Sequence, residues 1–151
     1  MKNKLRTSSM NSDTEENLSK AVLDSNILVS AIIYEGKPGT VLKLTLEKRF
    51  ITITSRILLS ELFEVLVKKF NFPDEKIKQI DKKLNKLFRL VSPKKRLAIV
   101  KDEADNRVLE AAVEGKCKYI VTGDKELLEL IVYRDIKLVT ADQFLKILEE
   151  N

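Results

Sequence analysis

The chain has 151 residues, 44% hydrophobic and 34% charged, with 28 Lys and Arg against 23 Asp and Glu for a net charge of +5, and it contains no histidine. That length suits one domain with a real core, and no run of about 18 apolar residues is present to span a membrane. Without histidine, Ser-His-Asp and Cys-His catalysis, HExxH metalloprotease sites and most catalytic zinc sites are excluded, and the single Cys117 excludes an internal disulfide.

An enzyme built from these residues works with carboxylates, hydroxyls and lysines, and carboxylates favour hard cations such as Mg2+ or Mn2+. The N-terminus lacks the apolar core of a secretory signal, so a cytoplasmic protein is expected. Charge is unevenly spread. Residues 64 to 101 hold twelve Lys and Arg against four Asp and Glu, a local +8 that leaves the remainder at −3. A basic surface of this kind attracts phosphate backbones without sequence preference, although a solvated lysine-rich helix would look the same.

Residues 1–19 are polar and without apolar period, which predicts a disordered tail ahead of a single domain over 20–150. A strand is expected over 20–24, then a helix over 26–34 that is apolar almost all round and therefore largely buried. Gly36, Pro38 and Gly39 predict a turn over 35–39, with a second helix over 40–48. Residues 50–54 alternate as a second strand, and Ser55 caps a helix reaching to about 69.

Asn71 to Pro73 break that helix. The next, over 74–89, carries Ile77, Ile80, Leu84, Leu87 and Phe88 on one face, and Lys78, Lys82, Lys86 and Arg89 as a basic stripe on another. A short edge strand over 90–92 is expected before Pro93, with Lys94, Lys95 and Arg96 in the following loop. Then come a helix over 102–115, a strand over 118–122, a short helix over 125–131, a strand over 136–139 and a last helix to 149. Strands alternating with helices imply an α/β fold, a parallel sheet covered on both faces.

Ligands in such sheets bind beyond the C-terminal strand ends, so the carboxylates at that edge matter most. Asp24 closes the first strand in VLDSN, where it could equally serve as a helix cap. Glu61 stands three residues after Leu58 and four before Val65, on the border of the apolar stripe, whereas Glu64 pairs with Lys68 at the surface. Asp105 precedes Val108, Leu109 and Ala112 by three, four and seven residues and points with the buried face. Asp102 is more easily a cap, and is held in reserve. Asp124 lies one glycine beyond a strand in VTGD, with Thr122 supplying a hydroxyl. Four such acids in one crevice would raise one another's pKa unless a cation compensates.

These stretches, VLDSN-ILVSAII, the Glu of SELFEVL, DEADNRVLEAA and YIVTGDKELL, taken in order, resemble the PIN-domain nucleases. The nearest likeness is to the branch assigned as toxins of type II toxin–antitoxin systems, and it runs from about residue 21 to 148. The resemblance implies a Rossmann-like parallel sheet of about five strands and Mg2+- or Mn2+-dependent hydrolysis of RNA. It also implies a homodimer and an antitoxin protein partner. Carried over by position, Asp24, Glu61, Asp105 and Asp124 match the acidic quartet, and Asn26 and Thr122 the accessory polar positions.

The expected mechanism is metal-assisted phosphodiester hydrolysis. Asp24, Asp105 and Asp124 would hold one or two divalent ions, Glu61 would complete the shell or orient a water, and Asn26 and Thr122 would fix the carboxylates by hydrogen bonds. Lys78, Lys82, Lys86, Arg89 and Lys94 to Arg96 would follow the nucleic-acid backbone. The competing reading is a catalytically inactive RNA-binding module of the same fold. A haloacid-dehalogenase-like phosphatase fits poorly, since Asn26 stands where it needs a second aspartate.

Overall fold

The structure is a computed structural model that describes residues 17–150. Of the expected tail, 1–16 lies outside the described residues. Six strands form one sheet in the order β3-β2-β1-β4-β6-β5. They are β1 (Lys20–Leu23), β2 (Ile51–Thr54), β3 (Arg89–Leu90), β4 (Tyr119–Val121), β5 (Val132–Tyr133) and β6 (Ile136–Val139). The first four and β6 run parallel, while β5 pairs antiparallel with β6. The helices are α1 (Ser25–Ile33), α2 (Gly36–Leu46), α3 (Arg56–Phe70), α4 (Asp74–Leu87), α5 (Glu103–Glu114), α6 (Lys125–Leu128) and α7 (Ala141–Glu150).

Strand alternation divides the apolar residues into two cores, one on each face of the sheet. Ala21 and Leu23 of β1 join Val121 and Val139 under Leu28, Leu62, Leu66 and Phe144. Val22 joins Ile53, Ile120 and Leu138 under Val108, Leu109, Ala112 and Leu127. Sandwiched strands need apolar side chains on both faces, which is why residues 21–23 of β1 and all of β4 read as unbroken apolar runs. Gly115 ends α5 where a Cβ would come within 2.7 Å of the Ile53 side chain, so only glycine lets the helix turn so close to β2. Cys117 is buried in the second core, and burial pushes its thiol up to about 12, which leaves it unreactive.

Several elements depart from expectation, among them β3, which spans Arg89–Leu90 rather than 90–92. Helix α2 begins at Gly36 rather than 40 and takes Pro38 into its first turn, where the missing N–H has no partner to lose. Helix α4 stops at Leu87, so Arg89 belongs to β3 and not to the helical stripe. Helix α6 is a single turn, Lys125–Leu128, not a helix to 131. Strand β5 is an addition, turned back onto β6 through Arg134 and Asp135, both at positive φ (47° and 66°) as a two-residue hairpin of the primed type requires. No helix among the described residues is long and apolar enough to cross a membrane.

Candidate metal centre

In the sheet order, β1 has β2 on one side and β4 on the other, so the crossover direction reverses between β1 and β4. A crevice opens beyond the C-terminal ends of strands at such a point. Asp24, the residue after β1, donates its backbone N–H to Val121 O at 3.2 Å and so lies on this seam. Its Oδ1 accepts from Ile27 N at 2.8 Å, capping α1, and its Oδ2 accepts from the Thr122 hydroxyl. The cap and the site position are therefore one and the same carboxylate.

Thr122, just beyond β4, also accepts from Asp124 N at 3.0 Å. Asp124 in turn caps α6 by accepting from Leu127 N at 3.1 Å. From α3, the half-buried Glu61 accepts the Ser25 hydroxyl at 2.7 Å. Ser25 thus makes the contact that was expected of Asn26. Asn26 is exposed, and its side chain has no hydrogen bond among the described residues, because α1 starts at Ser25 and turns the next residue outward.

Asp105 enters from α5, inward-facing and only 9% exposed, and its Oδ2 is buried with no hydrogen-bond partner among the described residues. Asp102 caps α5 through a 2.8 Å bond from Ala104 N. It remains exposed. Asp105, Asp124 and Glu126 each offer a carboxylate oxygen, all within 4.8 Å of one another. Glu126 escaped the sequence reading: on a one-turn helix there is no apolar period to reveal its facing. Asn106 escaped it too. Its side chain accepts from Ile99 N and Val100 N at 2.9 and 3.0 Å and donates to Val100 O at 2.8 Å, tying the loop after β3 to α5.

Among the described residues, no Lys or Arg forms a salt bridge with Asp24, Glu61, Asp105, Asp124 or Glu126. Burial, with Asp124 and Glu61 nearby, pushes Asp24 up to about 6, against the pull of its Thr122 and Ile27 hydrogen bonds. Burial first, then the charges of Asp124 and Asp102, raise Asp105 as well. Buried acids without protein counter-charges, one with an orphaned oxygen, suit a hard divalent cation.

The basic residues do not gather at this crevice. Lys78, Lys82 and Lys86 are exposed on α4, whose middle is tied to the start of α3 by an Arg56–Asp81 ion pair at 3.2 Å. Lys86 and Arg89 line a hollow of about 350 Å³ with Lys48 and Phe50, beside the N-terminal end of β2. Lys94, Lys95 and Arg96 are exposed in a loop fixed to the far end of α5, where Lys94 N donates to Glu114 Oε1 at 3.1 Å. Glu114 is nine residues beyond Asp105, about 14 Å along the helix.

A mostly parallel α/β sheet with carboxylates crowded at its switch point belongs to the open α/β class whose ligands bind beyond the strand ends, here at a place suited to a hard cation. Residues 20–126 match the PIN domain family, so the chain belongs to it, a family whose members are generally metal-dependent nucleases. The chain is also 32% identical over 116 residues to the uncharacterized protein MJ1680 of Methanocaldococcus jannaschii, covering 74% of each.

Proposed function

We propose that the protein is a divalent-metal-dependent endoribonuclease, taking Mg2+ or Mn2+, and that it acts as the toxin of a toxin–antitoxin pair. The observation that carries the nuclease reading is the set of uncompensated carboxylates around the orphaned Oδ2 of Asp105. A bound divalent cation would supply a Lewis acid that activates water and offsets charge on the leaving oxygen. Asp105 and Asp124 would hold it, together with Asp24. Glu61, steadied by Ser25, would accept a hydrogen bond from the attacking water and set its line of approach. Thr122 would keep Asp24 and Asp124 in register.

RNA as substrate is supported by the basic surface of α4 and by the motif likeness; with no tryptophan in the chain, backbone contacts rather than base stacking would hold the strand. The toxin role, an antitoxin partner and a homodimer are supported by the motif likeness, and exposed Ile57 and Val67 on α3 offer apolar surface for a partner.

The test is cleavage of a labelled single-stranded RNA with Mn2+ or Mg2+, run against chelator and against Asp24→Asn. Metal-dependent cleavage that disappears in the variant is expected. Binding of RNA by an inactive wild type would favour the RNA-binding module. For the toxin role, induced expression should arrest growth and the Asp24→Asn chain should not.

A further inference from the structure

The basic hollow beside the start of β2 lies apart from the acidic crevice. It encloses about 350 Å³, is walled by Leu46, Ile51 and Leu87, and has Lys48, Lys86 and Arg89 as its charged lining residues. No carboxylate lines it, and among the described residues none of the three cations forms a salt bridge. Lys48 and Lys86 stand at the C-terminal ends of α2 and α4, where a cation offsets the helix dipole. That accounts for two of the charges and not for Arg89, which the edge strand β3 brings beside them. An apolar concavity of this size with a few converging charges has the form of a small-ligand site, and these charges call for an anion with an apolar body. A nucleoside phosphate has that chemistry.

The position of the hollow favours a nucleotide within a strand over a free one. Lys20 is paired with Ile51, and Asp24 stands four residues further along β1, so hollow and crevice are about 13 Å apart along the sheet. Cations mark the way between them. Lys86 lines the hollow, and Lys82 stands about one turn back on α4, some ~6 Å along the helix. The adjacent Asp81 takes Arg56 at the start of α3, the helix that carries Glu61.

We propose that the hollow is a subsite for one unpaired nucleotide of the RNA. Its phosphate is held by Lys48, Lys86 and Arg89 and its ribose and base lie against the aliphatic wall, while a bond further along the same strand lies in the crevice. This rests on the nuclease reading for its purpose and adds a length requirement to it: strands too short to span both places bind through the crevice alone.

The experiment measures binding of labelled single-stranded RNAs of increasing length by fluorescence anisotropy, with Mg2+ present and Asp24→Asn as the parent so that no strand is cut. Cleavage of the same RNAs is followed in chains that keep Asp24. Affinity should step up at the length that reaches the hollow. Lys48→Ala with Arg89→Ala should abolish the step, weakening the long strand by about tenfold or more at about 0.1 M salt, as the loss of two phosphate contacts requires, and should leave short strands unchanged. In cleavage the same pair should raise KM for the long strand and keep kcat. Leu46→Glu, at an exposed position of the wall, should repel the phosphate to the same effect without disturbing the core. Lys137→Ala with Lys146→Ala removes the same charge from exposed places on β6 and α7 and should bind like the parent. If the hollow variants bind and cut long RNA like this control, or the parent shows no step with length, the inference is overturned while cleavage by the intact chain keeps the nuclease reading. The hollow's cations then serve the helix ends, or Asp13, Glu15 and Glu16 of the same chain, which precede Leu18 at the hollow. AMP that binds as tightly as the long strand, and is lost in the variants, makes the ligand a free nucleotide and also overturns it. A step that the hollow variants abolish in a chain that cuts no RNA keeps the subsite and overturns the nuclease reading.

Discussion

The Thr122 hydroxyl donates to Oδ2 of Asp24 and at the same time accepts from the N–H of Asp124, so one side chain ties the ends of β1 and β4 together. Removing it keeps the shape if valine takes its place but frees both acids. Thr122→Val should lower RNA cleavage by about 10- to 100-fold, the usual cost of losing a group that orients metal-site carboxylates. It should also lower stability by about 1–3 kcal/mol, because Asp24 and Asp124 N each lose a partner at a buried place. Thr122→Ser should restore most of both. Cleavage by the valine variant at the wild-type rate would show that the bridge has no part in the chemistry.

Asp24 also makes the metal-free protein pH-sensitive in a direction opposite to most acids. Its pKa is about 6 in the folded chain against 3.8 for the free side chain, so the folded state binds the proton more tightly. The stabilisation from protonation is complete below pH 3.8 and is lost as pH rises through about 6. Two units correspond to about 3 kcal/mol, an upper figure. Asp24→Asn removes this penalty, so with chelator present it should melt at a higher temperature than wild type at pH 7.5, and the gap should close towards pH 4. Added Mn2+ should shrink the gap at pH 7.5 by stabilising wild type. A variant less stable than wild type at pH 7.5 in chelator would mean that the charged carboxylate, through its two hydrogen bonds, is a net stabiliser.

The loop between β3 and α5 is held by side chains of the helix, not by a sheet. Asn106 makes three bonds to it, and Arg107 and Glu110, a buried ion pair at 2.9 Å, bond Leu97 O and N. Asn106→Ala strands two N–H groups and one carbonyl. It should cost about 2–4 kcal/mol, whereas the exposed Asn85→Ala should cost under about 1 kcal/mol. Urea unfolding of both variants measures this, and equal midpoints would mean that water replaces Asn106 without loss.

Much of this arrangement is legible in the chain, and the exceptions share a cause. Asp24, Thr122 and Asp124 follow short apolar runs, so their places at strand ends can be read from the residues before them. Asp105 and Glu61 can be read from helical phase, since each stands at three or four residues from core positions such as Val108 and Leu58. Ser25 against Asn26 turns on which residue opens α1, and a one-residue uncertainty in a helix start rotates every side chain by about 100°. Glu126 sits on a helix of one turn, too short to show any period. Strand β5 has two residues and a hairpin of Arg134 and Asp135 without glycine, so it carries none of the usual turn signals. Long periodic elements declare themselves, while single turns depend on contacts that only the folded chain supplies.

The basic residues divide by position into two groups that should behave differently. Lys82 follows Asp81, whose carboxylate takes Arg56 at the start of α3, five residues before Glu61, so α4 is joined to the wall of the acidic crevice. Lys94, Lys95 and Arg96 sit at the opposite end of α5 from Asp105. Charge reversal at Lys82 and Lys86 should weaken RNA binding and flatten the plot of log affinity against log salt by about 1.4, two single-strand phosphate contacts at about 0.7 each, with Mn2+ binding unchanged. Replacing Lys94, Lys95 and Arg96 by alanine should leave a short oligonucleotide bound as before and weaken only strands long enough to reach along α5. Filter binding at four salt concentrations with a short and a long RNA separates the two groups. An unchanged affinity and slope in the Lys82 and Lys86 double variant would remove α4 from the nucleic-acid path.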